Sequence, residues 1–137
     1  MNYLIDTNIC IYLMNGRTPQ LVEKVLEKSK LAAVQSIAIS SITVAELQYG
    51  VANSKKKAQN QTRLNAFLLP FDILPFTESH TECYGEIRAQ LTQKGNIIGP
   101  LDLLIAAHAL AENRTLVTNN DKEFVRVKGL TVENWLM

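Results

Sequence analysis

Four aspartates stand in the chain, at Asp6, Asp72, Asp102 and Asp121, and two of them sit where an acid is costly. Asp6 ends the short apolar run Tyr3-Leu4-Ile5. Asp102 opens the stretch Leu101 to Leu110, which is apolar almost all round, as a buried helix would be. A carboxylate in such surroundings needs a partner or a metal. Glu46, flanked by Val44, Ala45 and Leu47, is a third such acid, whereas Glu23, Glu27 and Glu112 lie on polar helix faces. Asn119, Asn120 and Asp121 follow another apolar run, Leu116 to Thr118. In open parallel sheets ligands collect at the carboxyl ends of the strands, which is where the sequence puts Asp6, Glu46 and the 119–121 group. Carboxylates converging there without basic partners repel one another. Mg²⁺ or Mn²⁺, binding through oxygens and waters, relieves that repulsion, and such a site activates a water and steadies charge on a phosphoryl group. Without metal, at least one of Asp6, Glu46 and Asp102 is expected to titrate above its reference value near ~4, because like charges disfavour joint ionisation.

Each acid also has a plainer role. Asp6 can cap the helix that follows it. Asp102 lies in the first turn after Pro100, where the helix dipole favours an acid. Glu46 can be an ordinary helix acid and Asp121 a turn residue. Their joint placement is what points to a metal site.

The elements that must position these side chains alternate. Tyr3-Leu4-Ile5 reads as a buried strand. A helix through Ile9 to Leu13 follows, with Thr7 or Asn8 as its cap and Gly16 as its end. Thr18-Pro19 opens a helix through Leu21 to Leu26. Ile37 to Ile39 is a second strand, and Thr43 to Tyr49 a short helix stopped at Gly50. Lys55 to Leu69 reads as a helix and Phe71 to Leu74 as a third strand. Ser79 and Glu82 form a capping box for a helix to Lys94, ended by Gly95. Gly99-Pro100 opens the apolar helix Leu101 to Ala111. Leu116 to Thr118 is a fourth strand and Leu130 to Val132 an edge strand. Strands alternating with helices make this an α/β fold, with a mostly parallel central sheet of 4–5 short strands flanked by helices.

A chain of 137 residues with 47% hydrophobic and 20% charged residues reads as one domain over residues 1–137 with a real core, and not as a disordered segment. Its net charge of +1 excludes a polybasic coat. Cys10 and Cys83 are too few for a disulfide framework. No membrane span and no basic, unbroken apolar leader is present in the sequence, so a cytoplasmic setting is expected.

Four segments, in order, make the chain resemble a PIN-domain ribonuclease of the VapC toxin type, from bacterial VapBC toxin–antitoxin pairs. They are Leu4-Ile5-Asp6-Thr7-Asn8, Ser41-Ile42-Thr43-Val44-Ala45-Glu46-Leu47 with Gly50, Gly99 through Ala109, and Val117-Thr118-Asn119-Asn120 with Phe124. The tail Gly129-Leu130 and Glu133-Asn134-Trp135 is similar too. The resemblance implies a PIN fold, with Asp6, Glu46 and Asp102 as catalytic Mg²⁺-binding acids and Asn8, Thr118, Asn120 and Asp121 in support. Mn²⁺ is expected to substitute for Mg²⁺. It implies hydrolysis of RNA by metal-activated water, leaving a 5′-phosphate and a 3′-hydroxyl. It further implies a VapB-type antitoxin that lays a segment with a basic residue across the site, and a homodimer. The Ser41-Ile42-Thr43 and Gly99-Pro100 segments look like those of enteric-type members, which cut initiator tRNA in its anticodon loop. One position departs from the pattern. Many PIN domains carry a fourth acid where this chain has Asn120, with Asp121 beside it and Glu123 nearby, which puts a tightly held second metal in doubt.

Other residues read as structural. Lys55-Lys56-Lys57 is a solvated helix start, although Arg88, Lys94, Lys122, Arg126 and Lys128 have the charge to line an RNA-backbone groove. His108 is about 600° round the helix from Asp102, and His80 is expected at the surface. Trp135 is expected to pack the C-terminal edge. The alternative function is a non-catalytic α/β module whose acids bind metal or a basic partner. A phospho-acceptor receiver domain is excluded, because Asp6-Thr7-Asn8 lacks its paired acids.

Overall fold

In the structure, a computed structural model, residues 2–30 and 36–136 are described. The chain runs β1 (Tyr3–Ile5), α1 (Thr7–Asn15), α2 (Pro19–Lys30), β2 (Ile37–Ser40), α3 (Ser41–Ala52), α4 (Lys57–Leu68) and β3 (Asp72–Leu74). A 3₁₀ turn (Glu78–His80) leads into α5 (Thr81–Gln93), α6 (Pro100–Ala111), β4 (Thr115–Val117), α7 (Asp121–Phe124) and β5 (Val132–Glu133). The strands form one sheet in the order β3-β2-β1-β4-β5, and every pairing is parallel. Leu4 at its centre pairs with Ala38 on one side and Leu116 on the other.

The three inner strands are buried along their whole length, as a parallel sheet covered on both faces requires. Pleating divides their side chains. Leu4, Ala38 and Leu116 enter a core with Leu91 of α5 and Leu103, Ile105 and Ala106 of α6. Tyr3, Ile5, Ile37, Ile39 and Val117 enter the other, with Ile9, Leu21, Leu47 and Leu64 from α1 to α4. Trp135 closes the second core, its ring edge-on to Tyr3 at 5.0 Å. The chain moves outward from β1 through β2 to β3, then returns to place β4 on the far side of β1. The crevice of such a sheet opens at the carboxyl ends of the strands flanking that reversal, β1 and β4.

Several local expectations are corrected. The cap of α1 is Asp6 rather than Thr7 or Asn8, because the Asp6 carboxylate accepts from the Ile9 N–H. Gly50 does not stop α3, which runs to Ala52. An exposed helix interior tolerates one glycine at a cost of only about 1 kcal/mol. The cap before α5 is not Ser79 with Glu82. Thr77 and His80 form the reciprocal pair instead, and the Ser79 hydroxyl turns back to Thr77. His80 is therefore buried rather than at the surface. Gly16 and Gly95 do follow their helices in the left-handed conformation, at φ 67° and 65°.

Candidate active site

Strand β1 delivers Asp6 directly to the crevice. Its backbone N–H still pairs with the Val117 carbonyl at 3.1 Å, so the residue is held at the end of the ladder. The residue is 4% exposed, with Oδ1 accepting from Ile9 N–H at 3.0 Å. Thr118, just past the end of β4, is close enough to this carboxylate to favour its charged form. Burial, aided by the charge of Glu46, pushes the Asp6 carboxyl above its ordinary range against those contacts. Asp6 thus has both roles weighed from the sequence, helix cap and member of an acid cluster.

Glu46 reaches the same edge from the middle of α3, which begins where β2 ends. Ser40 Oγ accepts from the Ile42 N–H at 3.0 Å and fixes that strand-to-helix turn. The Thr7 hydroxyl donates to Glu46 Oε1 at 2.7 Å and lies 3.2 Å from the Thr43 hydroxyl, so α1 orients the Glu46 side chain.

Asp102 comes from the first turn of α6, where Pro100 opens the helix behind Gly99. Burial, then the charges of Glu123, Asp6 and Glu46, push its carboxyl up to about 6. The sequence expectation of a raised carboxyl is met at Asp6 and Asp102. The first-named charge, Glu123, received no role in the sequence reading. Its two oxygens are pinned, Oε1 by the Gly99 N–H at 3.2 Å and Oε2 by the Asn120 side-chain amide. The Asn120 backbone N–H in turn donates to Thr118 Oγ1 at 2.9 Å. Asn120 therefore holds an acid where it does not itself supply one. Asp121, the acid beside it, turns away and accepts from the Asn134 amide at 3.3 Å. Asn8 is exposed on the cleft wall together with Asp6, Glu46 and Asp102. A spacing signal for Glu123 existed: on a helical turn, the residue three beyond Asn120 shares its face.

His108 lies away from this cluster. It is fully buried, 2.8 Å from Ser40 Oγ through Nδ1, with its ring 4.4 Å from that of His80. Burial and the neighbouring imidazole lower it to about 4, so it is neutral at pH 7. It is a core group that ties α6 to the start of α3. Cys10 is buried and Cys83 half-buried.

Among the described residues, none of Asp6, Glu46, Asp102 and Glu123 has a Lys or Arg within ion-pairing distance. All four offer hard carboxylate oxygens, and burial together with their mutual repulsion raises Asp102 and Asp6, so the donor set suits a hard divalent cation. No three of the described acids close tightly enough to chelate an ion together. The fit is to an ion that keeps several waters and takes one or two direct carboxylates, as Mg²⁺ does.

The burial and crowding of these acids have a measurable sign. An acid whose folded pKa lies above its unfolded value binds more protons in the native state, so stability falls as pH rises through the interval between the two. For Asp102 that interval runs from about 4 to about 6. In chelator at pH 7.5, Asp102→Asn should therefore melt above wild type, with the advantage vanishing near pH 4, as read by melting temperature across pH. A variant less stable than wild type at pH 7.5 would contradict the burial and repulsion that raise this carboxyl.

The PIN domain family pattern matches residues 3–130. Ribonuclease VapC2 of Rickettsia felis is 56% identical over 135 residues, covering 98% of each chain. The chain belongs to the PIN-domain family of VapC ribonucleases. The tRNA(fMet)-specific endonuclease VapC of Shigella flexneri is 35% identical over 98% of each chain. The crystal structure of VapBC2 from Rickettsia felis, bound to a DNA fragment of its promoter, superposes with a TM-score of 0.91 at 52% identity, over 98% of this chain and 99% of that one. DNA-bound VapBC from Salmonella typhimurium gives 0.88 at 33% identity over 98% of each. The PIN fold expected from the sequence is the fold observed, and the chain is a nuclease of this family.

Proposed function

We propose that this VapC-family chain is the toxin of a toxin–antitoxin pair and cleaves RNA internally, with Asp6, Glu46 and Asp102 surrounding a hydrated Mg²⁺, one or two of them as direct ligands and the rest through its waters, and Glu123 as a fourth acid beside them. The observation that carries this reading is four carboxylates at one sheet edge without a basic partner. Mg²⁺, or Mn²⁺ in its place, would supply an activated water and neutralise charge on the phosphoryl oxygens. The chain's own residues do the rest. Asp6 is held by Ile9 N–H at its side chain and by the Val117 carbonyl at its backbone, and it lines the crevice from that fixed position. Thr7 sets the Glu46 carboxylate, and Gly99 with Asn120 sets Glu123 against Asp102. Asn8 lies on the exposed wall where the substrate enters, while Asn120 and Thr118 serve as positioning residues; Asp121 supports the edge through Asn134.

The partner is a VapB-type antitoxin, since the similar solved structures are VapBC complexes. A basic antitoxin residue would oppose the unpaired acids. A homodimer acting in the cytoplasm fits the family, and no helix among the described residues is long and apolar enough to cross a membrane. The non-catalytic alternative drew its support from Asn120, and Glu123 offsets that loss of charge.

The substrate we propose is initiator tRNA, in line with the name of the Shigella flexneri relative, cut in the anticodon loop as the resemblance to enteric-type members implies. Incubating the purified chain and Mg²⁺ with individual tRNAs and rRNA should cut initiator tRNA and spare elongator tRNAs. An intact initiator tRNA beside cleaved rRNA would refute this target.

A further inference from the structure

The cleft that contains Asp6, Glu46 and Asp102 has a volume of about 950 Å³ and extends from the acids between α1, α3 and α4. Its charge distribution poses a problem for a polyanionic substrate. One phosphate can be neutralised at the acids through a cation, but a neighbouring phosphate that follows the cleft meets the remaining wall. That wall contains a single basic side chain among the described residues, Arg63 of α4. Arg63 is exposed, has no carboxylate partner, and uses one guanidinium nitrogen to donate to the Met14 carbonyl at 3.2 Å, at the end of α1. That bond aims the group while leaving most of its five donors free. Tyr49, on the next turn of α3 after Glu46, is 69% exposed on the same wall. Its ring has no aromatic neighbour and its hydroxyl no partner among the described residues. Guanidinium groups favour phosphate through paired N–H donors, and an open aromatic face stacks an unpaired base.

We propose that Arg63 and Tyr49 form a subsite for the nucleotide next to the cleaved bond, with Arg63 on its phosphate and Tyr49 against its base. This rests on the ribonuclease reading above. The subsite takes single-stranded RNA of any sequence, because neither contact reads a base edge. It would place the scissile phosphate over the acids by holding the chain one nucleotide away.

The test measures binding of a fluorescein-labelled single-stranded RNA 12-mer to the full chain carrying Asp6→Asn, with Mg²⁺ present, from low to moderate salt. For single strands each phosphate contact contributes about 0.7 to the slope of log affinity against log salt. Adding Arg63→Gln should lower the slope by about that amount, and Arg63→Lys should restore most of it. Adding Tyr49→Ala should weaken binding by about tenfold, which is within the range for one stacked base, without changing the slope. Both side chains are exposed, and circular dichroism will confirm that the variants fold. An unchanged slope in Arg63→Gln overturns the phosphate contact, and unchanged affinity in Tyr49→Ala overturns the stacking contact. If both variants bind RNA normally, the proposal is wrong. Failure of the underlying reading is separate: it would appear as no RNA cleavage by the wild-type chain in Mg²⁺ or Mn²⁺.

Discussion

Asp6→Asn should slow RNA cleavage at saturating Mg²⁺ by about 10³-fold or more while leaving the fold intact. A metal that polarises a phosphoryl oxygen and generates the nucleophile supplies several kcal/mol to the transition state, and each 1.36 kcal/mol is tenfold in rate. Asp6 is the acid most firmly built into the sheet, with its N–H on the Val117 carbonyl and its side chain on Ile9 N–H. Asparagine caps a helix about as well as aspartate, so the bond to Ile9 survives and only the charge is lost. Single-turnover cleavage rates beside melting curves separate the two effects. A variant cutting within about tenfold of wild type would remove Asp6 from the chemistry, and a collapse in stability would show that its cap role dominates.

Phe124→Ala should destabilise the protein by about 3–5 kcal/mol, the range for deleting a fully buried aromatic ring. Phe124 is 1% exposed and anchors α7, a helix of only four residues, into the core beneath α5 and α6. Its neighbour Glu123 faces Asp102, so the same ring that stabilises the core fixes an acid of the site. Urea unfolding at pH 7.5 measures the loss. A cost below about 1 kcal/mol would mean that α7 is held by its hydrogen bonds alone, chiefly Val125 N–H to Asp121 and Val127 N–H to Phe124.

The parts of the site written into apolar runs are legible in the sequence. Asp6 after Tyr3-Leu4-Ile5 and Asp102 inside an apolar helix stand out, because burying a carboxylate is costly and the hydrophobic pattern around each is unbroken. Glu46 was weaker alone and became informative through the order of segments. The five strands and the long helices followed from the same alternation. What stayed hidden depends on which of several polar neighbours makes a hydrogen bond. Asp121 and Glu123 lie two residues apart in one turn; the local spacing pairs Glu123 with Asn120, but only tertiary contacts bring Asn134 to the first and Gly99 to the second. His80 was hidden for a similar reason. Its Nδ1 accepts the Thr77 N–H at 2.9 Å, and its ring packs on Phe76 and His108, which the local sequence does not reveal. Gly50 lies inside α3 because packing of that helix against α1, α4 and α6 outweighs a small propensity cost.

The central claim is that this edge of carboxylates hydrolyses RNA with a metal-activated water. End analysis of the RNA products made by the purified chain, with Mg²⁺ and with chelator, tests it most directly. The account predicts 5′-phosphate and 3′-hydroxyl ends that appear only with divalent metal and disappear in Asp6→Asn. Products ending in 2′,3′-cyclic phosphate, or cleavage that persists in chelator, would contradict it.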